Sequence, residues 1–227
     1  MNNESLKGAR VAFLTLGCKV NSYESDAMAE KLKDCGCEIV DFDKSADAYV
    51  INTCSVTNMA DKKSRQMIHR AAKLNPEAVI VATGCYVQTA NKEELEKNGI
   101  HVLIGNNKKN EIADLLSAYL KDHVRIKDIG DIAKDNRYET LELVGNIGHT
   151  RAYIKIQDGC NQFCTYCIIP YARGRIRSRE PEEVLREIRR LAGLGYKEFV
   201  LTGIHISSYG IPLTGGQEPL IELIEKI

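Results

Sequence analysis

The 227-residue chain has no net charge, with 31 Lys and Arg against 31 Asp and Glu, which excludes a protein that coats nucleic acid through bulk positive charge. Proline is scarce, at five residues, and glycine stands at 17, so neither a collagen-like nor a long disordered tract fits. No apolar run approaches the roughly 20 residues that a membrane span needs. The start, Met1-Asn2-Asn3-Glu4-Ser5, lacks the basic-then-apolar pattern of a secretory leader. These absences lead to the expectation of a cytoplasmic globular protein with no membrane contact, long enough for one large domain or two small ones.

What the chain does have is eight cysteines. A reducing compartment discourages structural disulfides, which leaves metal binding, catalysis or simple burial to explain them. Their placement depends on the organisation of the chain.

From Arg10 onward, short β-branched runs alternate with amphipathic stretches, the pattern of strand, crossover helix and parallel strand. Strands are expected near Arg10–Leu16, Glu38–Val40, Ala48–Asn52, Ala78–Thr83 and Val102–Ile104. Helices are expected near Ser22–Cys35, Asp61–Leu74, Lys92–Asn98 and Glu111–Leu120. This predicts an α/β doubly wound parallel sheet over residues 1–146. Residues 121–148 read as a linker or loose hairpin. A second unit, 147–227, follows with a strand at Thr150–Gln157, a helix at Glu180–Leu194 opened by Pro181, and a strand at Glu198–Thr202, a βαβ unit that suits the opening of a barrel. Pro219–Ile227 sets Leu220, Leu223, Ile224 and Ile227 on one helical face with nothing following to cover, which leads to the expectation of a truncated chain.

The densest cysteine signal is Cys160-Asn161-Gln162-Phe163-Cys164-Thr165-Tyr166-Cys167, three thiols spaced C-x3-C-x2-C after a predicted strand. Three thiolates in one loop suit an iron–sulfur cluster with one iron left open for chemistry. The alternatives are a zinc ion completed by a distant His or Cys, or buried thiols; no second C-x2-C pair is present to make a zinc knuckle. Cys18, Cys54 and Cys85 each follow a predicted strand, after Leu16-Gly17, Asn52-Thr53 and Thr83-Gly84. In a parallel sheet those strand ends share one edge, where open α/β folds bind ligands. A second three-thiol cluster is the favoured reading, with separate buried thiols or a cysteine nucleophile as alternatives. Cys35 and Cys37, at a helix-to-strand turn, read as small hydrophobes.

The residues resemble the methylthiotransferases of the radical S-adenosylmethionine (AdoMet) superfamily over essentially the whole chain. The stretches Thr15-Leu16-Gly17-Cys18-Lys19-Val20-Asn21-Ser22-Tyr23-Glu24, Asn52-Thr53-Cys54-Ser55-Val56-Thr57 and Gly84-Cys85-Tyr86 are similar to the family's N-terminal domain. Ile156-Gln157-Asp158-Gly159-Cys160 through Cys167-Ile168-Ile169-Pro170, with Arg173-Gly174-Arg175-Ile176-Arg177-Ser178-Arg179, is similar to its radical domain. Leu16–Asn21, Arg65-Gln66 and Leu201-Thr202-Gly203-Ile204-His205 most resemble the branch that acts on threonylcarbamoyladenosine in tRNA; sister branches act on isopentenyladenosine or on a ribosomal-protein aspartate.

The resemblance implies methylthiolation at C2 of the modified adenine beside the anticodon. It implies two [4Fe-4S] clusters, one on Cys160, Cys164 and Cys167 that binds AdoMet and one on Cys18, Cys54 and Cys85. The implied partners are tRNA, AdoMet and an electron donor such as flavodoxin or ferredoxin, for a monomeric enzyme. Family members continue beyond this length with more barrel units and a small RNA-binding β domain. A non-catalytic metal-cluster module that binds RNA is the competing class.

Tyr166 occupies the family's aromatic position near the AdoMet adenine, where a ring would stack; a core tyrosine is the other reading. Arg173, Arg175 and Arg177, continued by Arg179, suit the AdoMet carboxylate or an RNA phosphate, against a merely solvated basic strand. Lys62, Lys63, Arg65, Arg70 and Lys73 form a basic helix face, usually a solvated feature. Asn52 is placed to donate to a cluster sulfur, and His205 reads equally as a packed loop residue or a site residue.

Overall fold

The computed structural model describes residues 4–143, 151–214 and 219–227. Its first unit runs β1 (Arg10–Thr15), α1 (Lys19–Asp34), β2 (Glu38–Val40), β3 (Ala48–Thr53), α2 (Asn58–Leu74), β4 (Val79–Gly84), α3 (Cys85–Thr89), α4 (Lys92–Lys97), β5 (Val102–Ile104), α5 (Ile112–Asp122) and β6 (Ile126–Asp128). All six strands are parallel, in the order β2-β1-β3-β4-β5-β6. The direction of winding reverses between β1 and β3, which opens a crevice beyond their carboxyl ends.

Helices cover both faces, so the central strands are apolar throughout and their side chains divide by parity. Tyr49 and Ile51 of β3 join Ile80, Ala82, Ile68 and Leu95 on one face. Val50, Val79 and Val81 join Met28, Leu32, Ile112 and Leu116 on the other.

The stretch after α5 departs from the linker expectation. Ile126–Asp128 adds a sixth strand in register with Val102–Ile104, and Leu141 and Leu143 pack on Tyr23 and Ala27 of α1. Three residues with a single apolar side chain, Ile126, carry too little periodicity to read as an edge strand. The expected boundary at 146/147 and the start of the strand at Thr150 lie outside the described residues.

The second unit contains β7 (Ala152–Lys155), β8 (Gln157–Asp158), α6 (Ile169–Arg173), β9 (Arg177–Ser178), α7 (Pro181–Gly193), β10 (Phe199–Thr202), α8 (Ile211–Thr214) and α9 (Pro219–Glu225). β7 and β10 pair in parallel across α7, the right arrangement for a βαβ unit. α7 opens with Pro181 and two glutamates at its positive end, and buries Val184, Leu185, Ile188 and Leu191 against Ile154 and Ile156. On α9 the expected apolar face divides: Leu223 is buried and Leu220 packs beside it, whereas Ile224 and Ile227 face solvent.

Candidate cluster sites

β1, β3 and β4 deliver Cys18, Cys54 and Cys85 to one edge of the sheet. Cys18 is the residue that caps the positive end of α1, and Cys85 is the first residue of α3. Two glycines hold the strand ends close. A Cβ on Gly17 would lie 3.1 Å from the Cys54 sulfur, and one on Gly84 would lie 2.4 Å from the Thr53 carbonyl oxygen. Both have positive φ, +108° and +96°, which non-glycine residues rarely adopt. Burial pushes the Cys54 thiol up, against donation from the Val56 backbone, and charge on Cys85 and Cys18 pushes it the same way. Cys54 therefore lies within electrostatic reach of both Cys18 and Cys85.

The polar lining differs from expectation at Asn52. Its amide donates to the Asn21 carbonyl (3.0 Å) and to Ser25 Oγ (3.1 Å), so both protons serve helix α1 and none is left for a sulfur. The amide that reaches a sulfur belongs to Asn106: its Nδ2 lies 3.8 Å from Cys85 Sγ and donates to the Ala172 carbonyl at 2.6 Å. Lys109 fixes that orientation by donating to Asn106 Oδ1 at 2.6 Å. Asn106 follows β5 as the cysteines follow β1, β3 and β4, so the same strand-end rule points to it. Lys109 carries no comparable local signal.

The second trio sits on one loop braced from behind. Cys160 donates its backbone N–H to the Gly174 carbonyl (3.1 Å) and Cys167 donates to the Cys164 carbonyl (2.9 Å). Gly159 has φ +72°, and a Cβ there would fall 1.9 Å from the Arg175 carbonyl oxygen. Gln157 Nε2 donates to the Asp158 and Gly159 carbonyls at 2.8 and 2.7 Å. Its Oε1 accepts the His205 backbone N–H at 2.7 Å, and Ser208 Oγ lies 2.6 Å from His205 Nδ1, so His205 braces the loop. Cys160 is buried, Cys167 half-buried and Cys164 exposed, which directs the open side of the loop outward.

α6, which leaves this loop, packs on α3, which begins at Cys85; Asn106 bridges the two. None of the eight cysteines is in a disulfide. Among the described residues no three His, Cys, Asp or Glu side chains close on a point tight enough for a single metal ion. The donor chemistry fits an iron–sulfur cluster: two all-thiol sets, glycine-lined approaches and a nearby amide donor. Cys37 donates to the Leu6 carbonyl and burial pushes its thiol up to about 11, as expected for a packed thiol.

A model of the Uncharacterized protein family UPF0004 matches residues 10–105, and one of the Radical SAM superfamily matches residues 154–226. The threonylcarbamoyladenosine tRNA methylthiotransferase MtaB of Bacillus subtilis is 48% identical over 202 residues, 89% of this chain and 45% of the relative. That of Aquifex aeolicus is 41% identical over 201 residues, 88% of this chain and 49% of the relative. The chain belongs to the radical SAM methylthiotransferases. It spans about half the length of the curated relatives it matches. A tRNA-2-methylthio-N(6)-dimethylallyladenosine synthase from Halalkalibacterium halodurans is 35% identical over 232 residues, 97% of this chain and 42% of the relative.

In this methylthiotransferase chain the arginine run departs from its expected role. Arg173 and Arg177 are fully buried and pair with Asp158 at 3.3 and 3.6 Å, and Arg173 also grips Glu24. Arg179 pairs with Glu187 in the interior. Arg173 ends α6, and Arg177 and Arg179 lie in and just after β9, with all three side chains buried, so they offer nothing to a phosphate or a carboxylate from outside. Arg175 faces solvent and stacks over Phe163, its guanidinium 4.4 Å from the ring centroid. Tyr166 is 90% exposed, which rejects the core reading, and it borders a cavity against the N-terminal unit.

Proposed function

We propose that the chain belongs to an enzyme that methylthiolates C2 of threonylcarbamoyladenosine in tRNA, with residues 1–146 carrying the first cluster and the unit from 147 onward the second. The observation that supports this most is the packing of α3, which begins at Cys85, on α6, which follows the C-x3-C-x2-C loop. The relatives from Bacillus subtilis and Aquifex aeolicus, named for that nucleoside, support the substrate.

Cys160, Cys164 and Cys167 would hold one [4Fe-4S] cluster and Cys18, Cys54 and Cys85 the other. When bound, clusters and AdoMet supply radical hydrogen abstraction at the base and the sulfur and methyl groups. The chain's own residues do the positioning. Gly159 and Gln157 hold the AdoMet-side loop, Tyr166 offers it a ring for stacking, and the exposed Arg175 remains as a charge at its mouth. Asn106 steadies Cys85 through its amide. An electron donor of the flavodoxin or ferredoxin type would deliver the electron to a monomeric, cytoplasmic enzyme. Among the described residues no helix is long and apolar enough to cross a membrane.

The dimethylallyladenosine branch is the second reading, favoured by the Halalkalibacterium halodurans relative. Mass spectrometry of tRNA nucleosides from a strain lacking the gene separates the two: loss of the methylthio form of threonylcarbamoyladenosine is expected, and loss of the dimethylallyl form instead would move the assignment. Anaerobic reconstitution should give about eight iron and eight sulfide per chain; zinc alone, with no iron taken up, would favour a non-catalytic module.

A further inference from the structure

A cavity of about 390 Å³ is lined by residues of the first unit together with Tyr166 and Ile168 of the second. Its lining includes the immediate neighbours of three of the proposed ligands: Ser55 beside Cys54, Tyr86 beside Cys85 and Tyr166 beside Cys167. Asp61, in the first turn of α2, is among the lining residues, and its carboxylate oxygen Oδ1 is buried without a hydrogen-bond partner. α2 begins at this cavity and runs away from it over 17 residues.

The outer face of α2 is cationic although the chain as a whole is neutral. The helix carries five Lys or Arg against the single Asp61. Lys62, Lys63, Gln66, His69, Arg70 and Lys73 are exposed at helical spacing. Arg70 is engaged by Asp43, while among the described residues Lys62, Lys63 and Lys73 meet no carboxylate. At ~1.5 Å per residue, Lys62 to Lys73 extends over ~16 Å, enough to follow several phosphates of one nucleic-acid strand. A charged helix face alone is ordinary; one that starts at a cavity with an unsatisfied acceptor has a direction and an end.

We propose that α2 is an RNA track. Phosphates of a single-stranded loop run along Lys62, Lys63 and Lys73, and one unstacked base enters the cavity, where Asp61 accepts an N–H donor from its edge. Backbone contacts of this kind position without reading sequence, and the base edge supplies recognition. The proposal rests on the tRNA reading above and adds the surface that carries the substrate.

The test measures binding of a short RNA stem-loop to the intact chain by fluorescence anisotropy across salt concentrations. Lys62→Glu/Lys63→Glu/Lys73→Glu is compared with Lys33→Glu/Lys121→Glu/Lys127→Glu, which changes charge equally on other elements. The α2 variant should bind at least about 30-fold more weakly at about 50 mM salt, and its log–log salt slope should fall by about 2, as removal of three single-strand phosphate contacts requires. The control should stay within about threefold of wild type. Circular dichroism checks that both fold, and Lys→Gln at the same three positions repeats the comparison without reversed charge. Equal loss in both sets, or no RNA binding by the wild-type chain, overturns the track. The nucleoside measurement judges the enzymatic reading separately and can succeed where this one fails.

Discussion

The Arg173 guanidinium of α6 grips the Glu24 carboxylate of α1, 149 positions away in the chain, with Nη2 to Oε2 at 3.1 Å and neither side chain touching solvent. Around them Lys155 meets Glu24 and Asp158 at 2.7 Å each, Lys109 meets Glu24 at 3.2 Å and Arg177 meets Asp158 at 3.6 Å. Four cations share two carboxylates. Through Lys109 and Asn106 the network connects to Cys85, whose charge also favours the Arg173 cation. It fastens the two units together directly behind the proposed clusters.

Removing one carboxylate from such a buried set leaves cations uncompensated, so Glu24→Gln should destabilise the chain by about 3–5 kcal/mol in urea unfolding. Acid provides the sign. Burial opposes the Glu24 charge, but Arg173, Lys109 and Lys155 overcome it and hold the carboxyl below the ordinary value of 4.5. The stabilisation is present above 4.5 and is lost as pH falls toward the depressed value. The acid limb of the wild-type stability curve should therefore be steeper than that of Glu24→Gln; parallel limbs would count against the network.

Two glycines test whether the strand ends are as tight as the geometry requires. Gly84→Ala forces a Cβ to 2.4 Å from Thr53 O and 2.6 Å from Thr53 N at φ +96°, so loss of several kcal/mol and of about half the reconstituted iron is expected. Gly193→Ala, with nothing within 4 Å at the end of α7, should be neutral or stabilising by up to about 1 kcal/mol. Similar melting temperatures for the two would reject the close approach.

Five of the six strands of the first sheet and the thiol-bearing edge were legible because both depend on local pattern: short β-branched apolar runs, and cysteines at strand ends. The roles of Arg173 and Arg177 were not. Their spacing is the same whether they face solvent or an interior, and what decides is the partner: Glu24, on a helix of the other unit, for Arg173, and Asp158 for Arg177. Asn52 and Asn106 show the same limit. Both adjoin strand ends, and only the packing of α1 and of Lys109 determines which amide reaches a sulfur.

His101 makes stability pH-dependent from a different place. Its Nδ1 accepts the Ile80 backbone N–H at 2.8 Å, which requires a neutral ring, and burial followed by the charge on Arg125 lowers its pKa below 6.5. The stabilisation is complete above 6.5 and declines as pH falls through the depressed value. Gln at this position keeps an acceptor that does not titrate. Between pH 7.5 and 5.5 the wild-type melting temperature should fall by more than that of His101→Gln, and an identical fall in both would exclude His101 as the source.

Thiol reactivity separates ligands from bystanders without any assay of activity. In the metal-free chain Cys164 is exposed and Cys18 is exposed, Cys167 is half-buried, and Cys54 is buried with its thiol pushed up. Iodoacetamide should accordingly modify Cys18 and Cys164 first, Cys167 later and Cys54 slowly, since the thiolate is the reacting form. Reconstitution with iron and sulfide under anaerobic conditions should then protect Cys18, Cys164 and Cys167 together, because donation to iron lowers the charge and nucleophilicity of each sulfur and the cluster shields it. Cys35 lies in neither set, so its rate should not change. Protection of Cys164 and Cys167 with Cys18 still reactive would leave the loop cluster standing and remove the strand-end cluster, and with it the reason for gathering Cys54 and Cys85 at the same edge.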